Sequence, residues 1–447
     1  MKDKNFKINI PKEVEFILNT LEKNTYEAYI VGGCVRDTLL NKKPKDWDIT
    51  TSAKVEKVKA VFKQLGCKVI DTGIKHGTVT ILINNTSYEV TTYRIDGKYS
   101  DGRHPDKVEF TGILREDLKR RDFTINAMAY NYKEGLIDYF SGINDLKNKT
   151  INCVGNPIKR FSEDALRMIR AVRFSAQLGF DIEGNTEKGI KCLNKNIKCV
   201  SIERIREEFN KILLSDNISR IHCLYDYGLI KYFLPEYVQA INNNYETSLK
   251  LKNYLINNVS CIPKSIHVRL AMILKYILKL KYINNKNIFY DYDQLAKESQ
   301  EILKRIKYDK NTIYNVANII KFYNFSIENN KSIRKLLSIL GEELTLDLLK
   351  IKEHDILKNN NFNIKKHYKN CQNINLNLEK ILKEHQCINI KDLSINGDDL
   401  IKLGFRQGKD IGKILKDVFI KVLDDPSLNQ KDKLIDLVKK NTKFNKN

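Results

Sequence analysis

The hydrophobic pattern of the chain changes character near Ile158. Before that point, short apolar segments such as "AYIVGG", "WDITT" and "CKVI" alternate with helical segments, and "TVTILI" and "SYEVTTYR" flank "NNT" as the strands of a β-hairpin do. After it, long helical patterns such as "SEDALRMIRAVRFSAQL" and "SIERIREEFNKILL" follow with almost no strand signal. The pattern predicts an α+β fold in which a compact mixed head is followed by an elongated all-α region.

The charge of the chain favours a polyanionic partner. Its 447 residues include 78 Lys and Arg against 55 Asp and Glu, a net charge of +23 with neutral histidines. Such a surplus is typical of proteins that bind nucleic acid. A biased genomic base composition explains the abundance of Lys, Asn and Ile equally well, so the positions of the arginines have to decide.

The cysteines and the apolar segments indicate a soluble intracellular protein. The nine cysteines form an odd set without a CxxC pair, which favours reduced thiols over a disulfide framework or a zinc site. The N-terminal "MKDKNFKINIPKE" lacks the apolar stretch of a signal peptide, and no apolar run approaches the length of about 18 residues that a membrane span needs. We therefore expect a cytoplasmic protein without a membrane partner.

The stretch "KDWDITT" carries two carboxylates, one on each side of the chain's only tryptophan. If residues 46–50 are extended, Asp46 and Asp48 share one face, and Trp47 points the other way into the core. Paired carboxylates suit a site where divalent cations bridge protein and triphosphate, because magnesium takes one or two carboxylates and leaves its other positions to water and phosphate oxygens. The alternative is a pair of exposed strand residues without a ligand.

Two further segments have features of phosphate-binding sites. In "IVGGCVRD", Gly32 and Gly33 allow a phosphate to approach backbone N–H groups at a helix start, where Arg36 lies in the first turn. The alternative is a tight turn whose arginine pairs with the adjacent aspartate. In "RRDFTINAMA", Arg120 or Arg121 can reach phosphates from the edge of a buried element, or the segment is a helix that begins with solvated charges.

The segment "SEDALRMIRAVRF", residues 162–174, has an arrangement suited to reading a base. On one continuous helix Asp164 and Arg167 lie one turn apart, and Arg170 and Arg173 continue around the same flank. A carboxylate accepts from an exocyclic amino group and an arginine donates to ring acceptors, so the pair can read cytosine or adenine and reject uracil or guanine. An ion pair on a solvated basic face is the alternative.

A set of motifs follows in one order along the chain: "GGCVRD", "DWD", "HGTVTI", "EVTTYR.DG", "RRDFTINAMA", "RFSEDALRMIRAVRF" and "SIERI.EE". In this order the motifs resemble those of the bacterial CCA-adding enzymes, class II tRNA nucleotidyltransferases of the polymerase-β-like superfamily. The similarity runs from about Tyr29 to Leu214 and resumes in "INGDDLIKLGFRQGKDIGKIL", with no firm match between about Cys223 and Asp392. It implies four domains, a polymerase-β-like head, a neck that selects the base, a helical body and a helical tail that binds tRNA: residues 1–150, 151–215, 216–375 and 376–447.

The resemblance implies an activity. Enzymes of this family add C, C and A to the 3′ end of tRNA from CTP and ATP without a nucleic-acid template. In the two-metal mechanism that the resemblance implies, the 3′-hydroxyl attacks the α-phosphate and pyrophosphate leaves. The implied cofactor is Mg²⁺ and the implied partner is the acceptor end of tRNA, whereas the oligomeric state stays open, with a homodimer among the options.

Matching positions also imply roles for individual residues. Asp46 and Asp48 would be the catalytic carboxylates and the magnesium ligands. The nucleotide-binding residues come from the head and from the neck: Gly32, Gly33, Arg36 and Arg121, and Asp164, Arg167, Arg170 and Arg173.

Some assignments stay open at this level. Glu89, in "YEVTT", is the candidate third carboxylate, and Asp122 competes with it. The loop "DGKYSDGRHPD", residues 96–106, resembles the loop that the family needs to switch to ATP. The alternatives to CCA addition are a poly(A) polymerase or an A-only adding enzyme. The intact aspartate pair disfavours an RNA-binding protein without catalysis.

Overall fold

The computed structural model of the chain describes residues 2–3, 7–97, 108–284, 291–358 and 364–442. The chain forms two compact units, Met1–Gln239 and Ala240–Asn447. Most of the loop predicted to serve the switch to ATP lies outside the described residues.

The first unit contains the strands of the described residues. They are β1 (Lys2–Asp3), β2 (Ala28–Val31), β3 (Ile49–Thr51), β4 (Lys68–Gly73), β5 (Thr78–Ile83), β6 (Thr86–Thr92), β7 (Arg94–Asp96), β8 (Val108–Phe110), β9 (Met128–Asn131), β10 (Gly135–Asp138), β11 (Thr150–Ile151) and β12 (Asp181–Ile182). Eight of them pair in the order β1-β10-β9-β2-β3-β6-β5-β4, and β3 and β6 are parallel whereas the other neighbours are antiparallel. The remaining strands form the two-stranded pairs β7–β8 and β11–β12.

Helices connect and follow these strands. They are α1 (Lys12–Lys23), α2 (Gly33–Leu39), α3 (Val55–Gln64), α4 (Leu114–Lys119), α5 (Gly142–Lys147), α6 (Pro157–Glu163), α7 (Leu166–Leu178), α8 (Gly184–Leu193), α9 (Ile202–Leu213), α10 (Ile221–Asp226) and α11 (Pro235–Ile241). The boundary between the two units falls within α11. A mixed sheet followed by helices confirms the predicted α+β fold.

The hairpin predicted around "NNT" is present. Asn84 and Asn85 form the turn between β5 and β6 with φ of 51° and 61°, and two positive φ values are what a tight two-residue hairpin turn requires. The turn sets the register of β6, which runs parallel to β3 with Val90 opposite Ile49. The hairpin therefore brings Glu89 beside the start of β3.

The centre of the sheet is buried on both faces. Every residue of β2 and β9 is buried. An apolar cluster packs around them, formed by Tyr29, Val31, Tyr93, Leu114, Leu118, Ala127, Ala129, Ile137 and Val154. Close packing restricts movement of such strands, so the chain segments at their ends are held in place.

The second unit consists of helices and short turns in its described part. The helices are α12 (Tyr245–Asn257), α13 (Ile266–Asn284), α14 (Tyr292–Arg305), α15 (Lys310–Phe322), α16 (Asn330–Lys358), α17 (Ile364–Lys383), α18 (Gly397–Lys402), α19 (Lys409–Asp424) and α20 (Lys431–Thr442). α16 is kinked at Gly341, whose φ is 73°. Among the helices of the described ranges, none has the length and apolar composition of a membrane span.

Candidate active site

The turn between β2 and α2 brings backbone and an arginine together. Gly32 has a φ of 82°, in the left-handed region that favours glycine. A Cβ atom at Gly32 would lie 2.9 Å from Nη1 of Arg121, so the arginine crosses directly over the turn, and Gly33 begins α2. Among the described residues, the buried Nε atom of Arg121 finds no hydrogen-bond partner. Burial lowers the pKa of this guanidinium, and the nearby charge of Asp117 opposes that shift.

Arg36 donates hydrogen bonds to two neighbouring side chains of the described residues. Its Nε and Nη2 atoms donate to Oδ1 of Asp37 at 2.9 and 2.7 Å, and Nη1 donates to Oδ1 of Asn126 at 2.6 Å. Its guanidinium also lies 5.2 Å from the ring centre of Phe174 on α7. The pairing with the adjacent aspartate is therefore present, and the same side chain links α2 to α7.

The two aspartates precede a strand instead of lying on it. β3 begins at Ile49, three residues later than predicted. The carbonyl of Asp48 accepts a hydrogen bond from the N–H of Val31 at 3.0 Å, which extends the pairing of β2 and β3 by one residue. Asp46 and Asp48 are both exposed, so their carboxylates are accessible from solvent.

Trp47 does not enter the core of the head, and that prediction is wrong. The residue is half-buried and lines a surface cavity of about 530 Å³ together with Pro44 and Thr38. Ile49 is buried instead, at 1% exposure. Ile49, the first residue of β3, is thus the apolar side chain of this segment that packs into the core.

Asp48 belongs to a group of carboxylates that repel one another. Crowding by protein atoms raises the pKa of Asp48; Arg121 opposes this shift and Asp46 adds to it. The pKa of Glu89, which follows the β5–β6 turn, is also raised, by burial and by the charges of Asp48 and Asp46. Within the described ranges, no three His, Cys, Asp or Glu side chains form a group that could hold a metal ion. The candidate ligand set is the aspartate pair, whose side chains are exposed.

Asp122, the other candidate third carboxylate, is engaged with Arg170. Its Oδ2 accepts from Nε and Nη2 of Arg170 at 2.8 and 2.5 Å, and its Oδ1 accepts from the N–H of Phe123 and from Nδ2 of Asn126. Burial alone would raise the pKa of Asp122, but the charge and hydrogen bonds of Arg170 hold it well below its usual range. Asp122 therefore anchors Arg170, and Glu89 is the carboxylate beside the aspartate pair.

The continuous helix predicted over residues 162–174 is interrupted at Asp164, so that prediction is wrong. α6 ends at Glu163 and α7 begins at Leu166, while Asp164 is extended with φ −143° and ψ 105°. Its Oδ1 accepts from the N–H of Leu166 at 3.0 Å, and its Oδ2 accepts from Nη2 of Arg204 on α9 at 2.9 Å. Asp164 and Arg167 do not share one helix face.

Arg167 pairs with a different carboxylate. Its Nη1 donates to Oε2 of Glu163 at 2.8 Å and to the carbonyl of Arg160 at 3.1 Å, and its Nη2 donates to the carbonyl of Arg120 at 3.2 Å. Glu163, Arg160 and Arg120 also line a cavity of about 650 Å³. Arg167 therefore joins α6, α7 and the end of α4 at the edge of this cavity.

Three arginines surround the ring of Phe174. The guanidinium carbons of Arg36, Arg170 and Arg173 lie 5.2, 5.4 and 3.7 Å from the ring centre. Arg173 also pairs through Nε with Glu208 of α9 at 2.6 Å, and burial together with Arg170 lowers the pKa of Arg173 to about 10. Cation–π contacts partly offset the repulsion among the guanidinium groups. Arg170 and Arg173 thus flank one aromatic ring, together with Arg36.

Sequence reasoning missed the residues that orient these side chains. Asp117 is fully buried and accepts from Nε of Arg120 at 2.9 Å and from Oγ1 of Thr50 at 3.2 Å, which ties the arginine pair to β3. Arg204 and Glu208 hold Asp164 and Arg173. The four-residue spacing of Arg204 and Glu208 in "SIERI.EE" was a usable signal, whereas nothing in the sequence around Asp117 indicates its burial.

Family models match most of the chain. A poly A polymerase head domain matches residues 28–152, an RNA and SrmB binding site of polymerase A matches residues 179–241, and a tRNA nucleotidyltransferase domain 2 matches residues 287–438. The third match covers much of the stretch in which the motifs alone showed no firm similarity. The fold and these matches resemble those of the class of tRNA nucleotidyltransferases that carry a poly A polymerase head.

Sequence identity to individual proteins shows the family to which the chain belongs. The CCA-adding enzyme of Ligilactobacillus salivarius is 35% identical over 444 residues, 97% of this chain and 98% of that protein, and the enzyme of Pediococcus pentosaceus is 34% identical over 441 residues, 96% and 99% of the two chains. The chain belongs to the family of CCA-adding enzymes. Against other relatives the chain spans about half of their length: the enzyme of Lactobacillus helveticus is 55% identical over 196 residues, 44% of this chain and 48% of that protein.

A solved structure shows the same fold. The crystal structure of the Bacillus stearothermophilus CCA-adding enzyme in complex with CTP has a TM-score of 0.76 and 26% sequence identity to this chain, over 98% of this chain and 99% of that one. The structural similarity therefore extends over both compact units.

Proposed function

We propose that the chain adds C, C and A to the 3′ end of tRNA from CTP and ATP without a nucleic-acid template. The observation that carries the proposal is the similarity to a CCA-adding enzyme over 98% of that protein's length. The structure supports it because an exposed aspartate pair, a glycine turn crossed by an arginine, and a set of paired arginines and carboxylates lie in one compact unit.

Asp46 and Asp48 are the residues that would hold magnesium. The fit rests on electrostatics, because burial and then the charges of these aspartates raise the pKa of Glu89, and burial together with the charge of Asp46 raises that of Asp48. A divalent cation removes such repulsion, and magnesium accepts a site with two carboxylates. When two ions are bound, one would activate the 3′-hydroxyl and the other would stabilise the leaving pyrophosphate. Glu89 supports the pair from the neighbouring strand.

The triphosphate is bound by the glycine turn and its arginines in this proposal. Arg121 lies over Gly32, with Gly33 and Arg36 on the adjoining turn of α2. Guanidinium groups form charge-assisted hydrogen bonds to phosphate oxygens. The 3′-hydroxyl of the tRNA then attacks the α-phosphorus in line, and pyrophosphate leaves towards these arginines.

The base is read by the neck. Asp164 accepts a hydrogen bond from the exocyclic amino group of cytosine or adenine, and Arg167 donates to the ring acceptors. Arg170 and Arg173 complete the nucleotide site around Phe174. The Bacillus stearothermophilus relative was crystallised with CTP, which fits a site that accepts this nucleotide.

The helical tail binds the tRNA in this proposal. The net charge of +23 suits a polyanionic partner. We keep the boundaries 1–150 for the head, 151–215 for the neck, 216–375 for the body and 376–447 for the tail. We also propose that the protein works in the cytoplasm, where tRNA, CTP, ATP and magnesium are available together.

One assay tests the activity. The purified protein is incubated with magnesium, labelled CTP or ATP, and tRNA that ends at the discriminator base, at C or at CC. We expect two C additions followed by a single A. The match of residues 28–152 to a poly A polymerase head favours one alternative, so long A tails on arbitrary RNA would replace the proposal with a poly(A) polymerase. A single A added only to tRNA that ends in CC would indicate an A-only enzyme.

A further inference from the structure

Asp164 lies in a short extended segment between α6 and α7, outside any helix. The helical backbone therefore does not determine its side-chain orientation. Two donors from different elements do so instead, the N–H of Leu166 at Oδ1 and Nη2 of Arg204 at Oδ2. One donor on each oxygen sets the plane of the carboxylate.

Arg204 reaches this position from α9, which packs against α7. The same face of α9 carries Glu208, four residues later, which pairs with Arg173 at 2.6 Å. The buried Nη1 atom of Arg204 has no hydrogen-bond partner in the part of the chain that the structure describes. A buried donor without a partner is destabilising, and a partly buried ion pair is a weak source of stability. Stability alone therefore gives a poor account of why an arginine occupies this position.

The orientation of Asp164 has a chemical consequence for base selection. Each carboxylate oxygen can accept about two hydrogen bonds, so the contacts with Leu166 and Arg204 leave one acceptor direction on each oxygen. An exocyclic amino group of cytosine or adenine can donate along that direction. The O4 atom of uracil or the O6 atom of guanine would meet a fixed acceptor there and be repelled. Rejection depends on the carboxylate staying in place, because a carboxylate that can rotate avoids the repulsion.

We infer that Arg204 is a specificity-determining positioning residue, which holds the carboxylate of Asp164 so that CTP and ATP are accepted and UTP and GTP are refused. The inference deepens the proposed function and rests on it. Arg204 acts through Asp164 and not on the reacting atoms. Its loss therefore changes the ratio between nucleotides more than it changes catalysis with the correct nucleotide.

The test compares Arg204→Ala with wild type on tRNA that ends at the discriminator base. We expect the ratio of kcat/KM for CTP to that for UTP to fall at least about tenfold, with KM for tRNA unchanged. The matched control is Arg220→Ala, which removes another arginine–aspartate contact between two elements, that of Arg220, just before α10, with Asp181 of β12 at 2.7 Å, away from the site. The control should keep the wild-type ratio. An unchanged ratio in an active Arg204→Ala protein overturns the inference.

A conservative variant and a binding experiment complete the test. Arg204→Lys keeps one charged donor, so it should restore part of the selectivity, and it replaces Arg204→Ala if thermal melting shows that the alanine variant does not fold. An equal loss with CTP and UTP in the lysine variant contradicts the inference. Calorimetric binding of CTP and UTP with magnesium but without tRNA separates the two proposals. A wild-type protein that prefers CTP in this measurement but adds nothing to tRNA refutes the proposed function, and the variants still report on Arg204.

Discussion

The two ends of the candidate active site differ in how their charges are balanced. At the head end, Asp46 and Asp48 are exposed and repel one another and Glu89. At the neck end, charged side chains have partners of opposite sign, as in the pairs of Asp164 with Arg204 and of Arg173 with Glu208. The difference follows from the ligands. A metal ion brings the charge that balances the aspartates, whereas a neutral base brings none, so the neck must be balanced before the nucleotide arrives.

The largest effect should come from neutralising the head end. We expect Asp48→Asn to lower kcat for CTP addition on the order of 10³-fold, because the amide cannot replace a carboxylate as a metal ligand. Binding of tRNA, followed by gel shift, should persist. Asp71→Asn is the control, since Asp71 is an exposed aspartate of the same sheet that pairs with Lys59 at 2.8 Å. More than a tenth of wild-type activity in Asp48→Asn would show that the pair does not hold the metal.

Removing the carboxylate partner of a paired arginine should instead lower the free energy of unfolding. Asp122→Asn leaves Arg170 without its counter-charge, and we expect a loss of about 3 kcal/mol in the free energy of unfolding in urea at pH 7. Asp181→Asn breaks the exposed pair with Arg220 and should lose less than about 1 kcal/mol.

The pH dependence of this difference follows from the direction of the pKa shift. The pKa of Asp122 is depressed from its ordinary value of 3.8, so its contribution is present above that value and is lost as the pH falls towards the depressed one. Equal losses in Asp122→Asn and Asp181→Asn at pH 7 would contradict the contrast between the two pairs.

Alanine substitutions at two glycines distinguish the effect of backbone strain from the effect of displacing Arg121. Gly32 and Gly66 have similar φ values, 82° and 77°, but a Cβ at Gly66 would meet no atom within 4 Å. We expect Gly66→Ala to lose about 1 kcal/mol of stability with normal kinetics. Gly32→Ala should lose a similar amount and in addition raise KM for CTP about tenfold, because the new methyl group displaces the guanidinium from the turn. An unchanged KM for CTP in Gly32→Ala would remove Arg121 from the triphosphate site.

The smallest expected effect is the pH dependence of the increase in Tm that magnesium causes. The raised pKa values of Asp48 and Glu89 mean that the metal-free folded protein binds more protons than the unfolded chain, so its stability falls as the pH rises through these pKa values. Magnesium relieves the repulsion at neutral pH, where the carboxylates are ionised. We therefore expect magnesium to raise Tm more at pH 7.5 than at pH 5, by roughly 1–2 °C. Asp48→Asn should lose this difference, and the same increase at both pH values in wild type would contradict it.

Features that depend on neighbours along the chain were predictable. Local conformational preference predicts the turn at Asn84 and Asn85 and the glycine turn before α2. The spacing of apolar residues predicts the change from mixed strands and helices to helices alone. The first and last residues of the strands were less predictable. β3 starts three residues later than the alternation of side chains suggested, because two exposed aspartates carry no signal for where pairing begins.

Long-range pairing was not predictable from the pattern. The segment around Asp164 contains no glycine or proline and has good helical periodicity, yet the helix breaks there and the carboxylate turns to Arg204, 40 residues later in the chain. Asp122 likewise pairs with Arg170, 48 residues away. A pattern of spacings in one helix reports neighbours three and four residues apart, so it assigned Asp164 and Arg167 to each other.

The sequence by itself determined which chemical groups are available: two aspartates near a glycine turn, a run of arginines, and a fold class that presents them. Only the tertiary structure decided which charges are paired and which are left exposed. The physical reason is that ion pairs such as Asp164 with Arg204 depend on distances set by the packing of α7 against α9. Packing of this kind sums many weak contacts over the whole unit and is not encoded in any short stretch of residues.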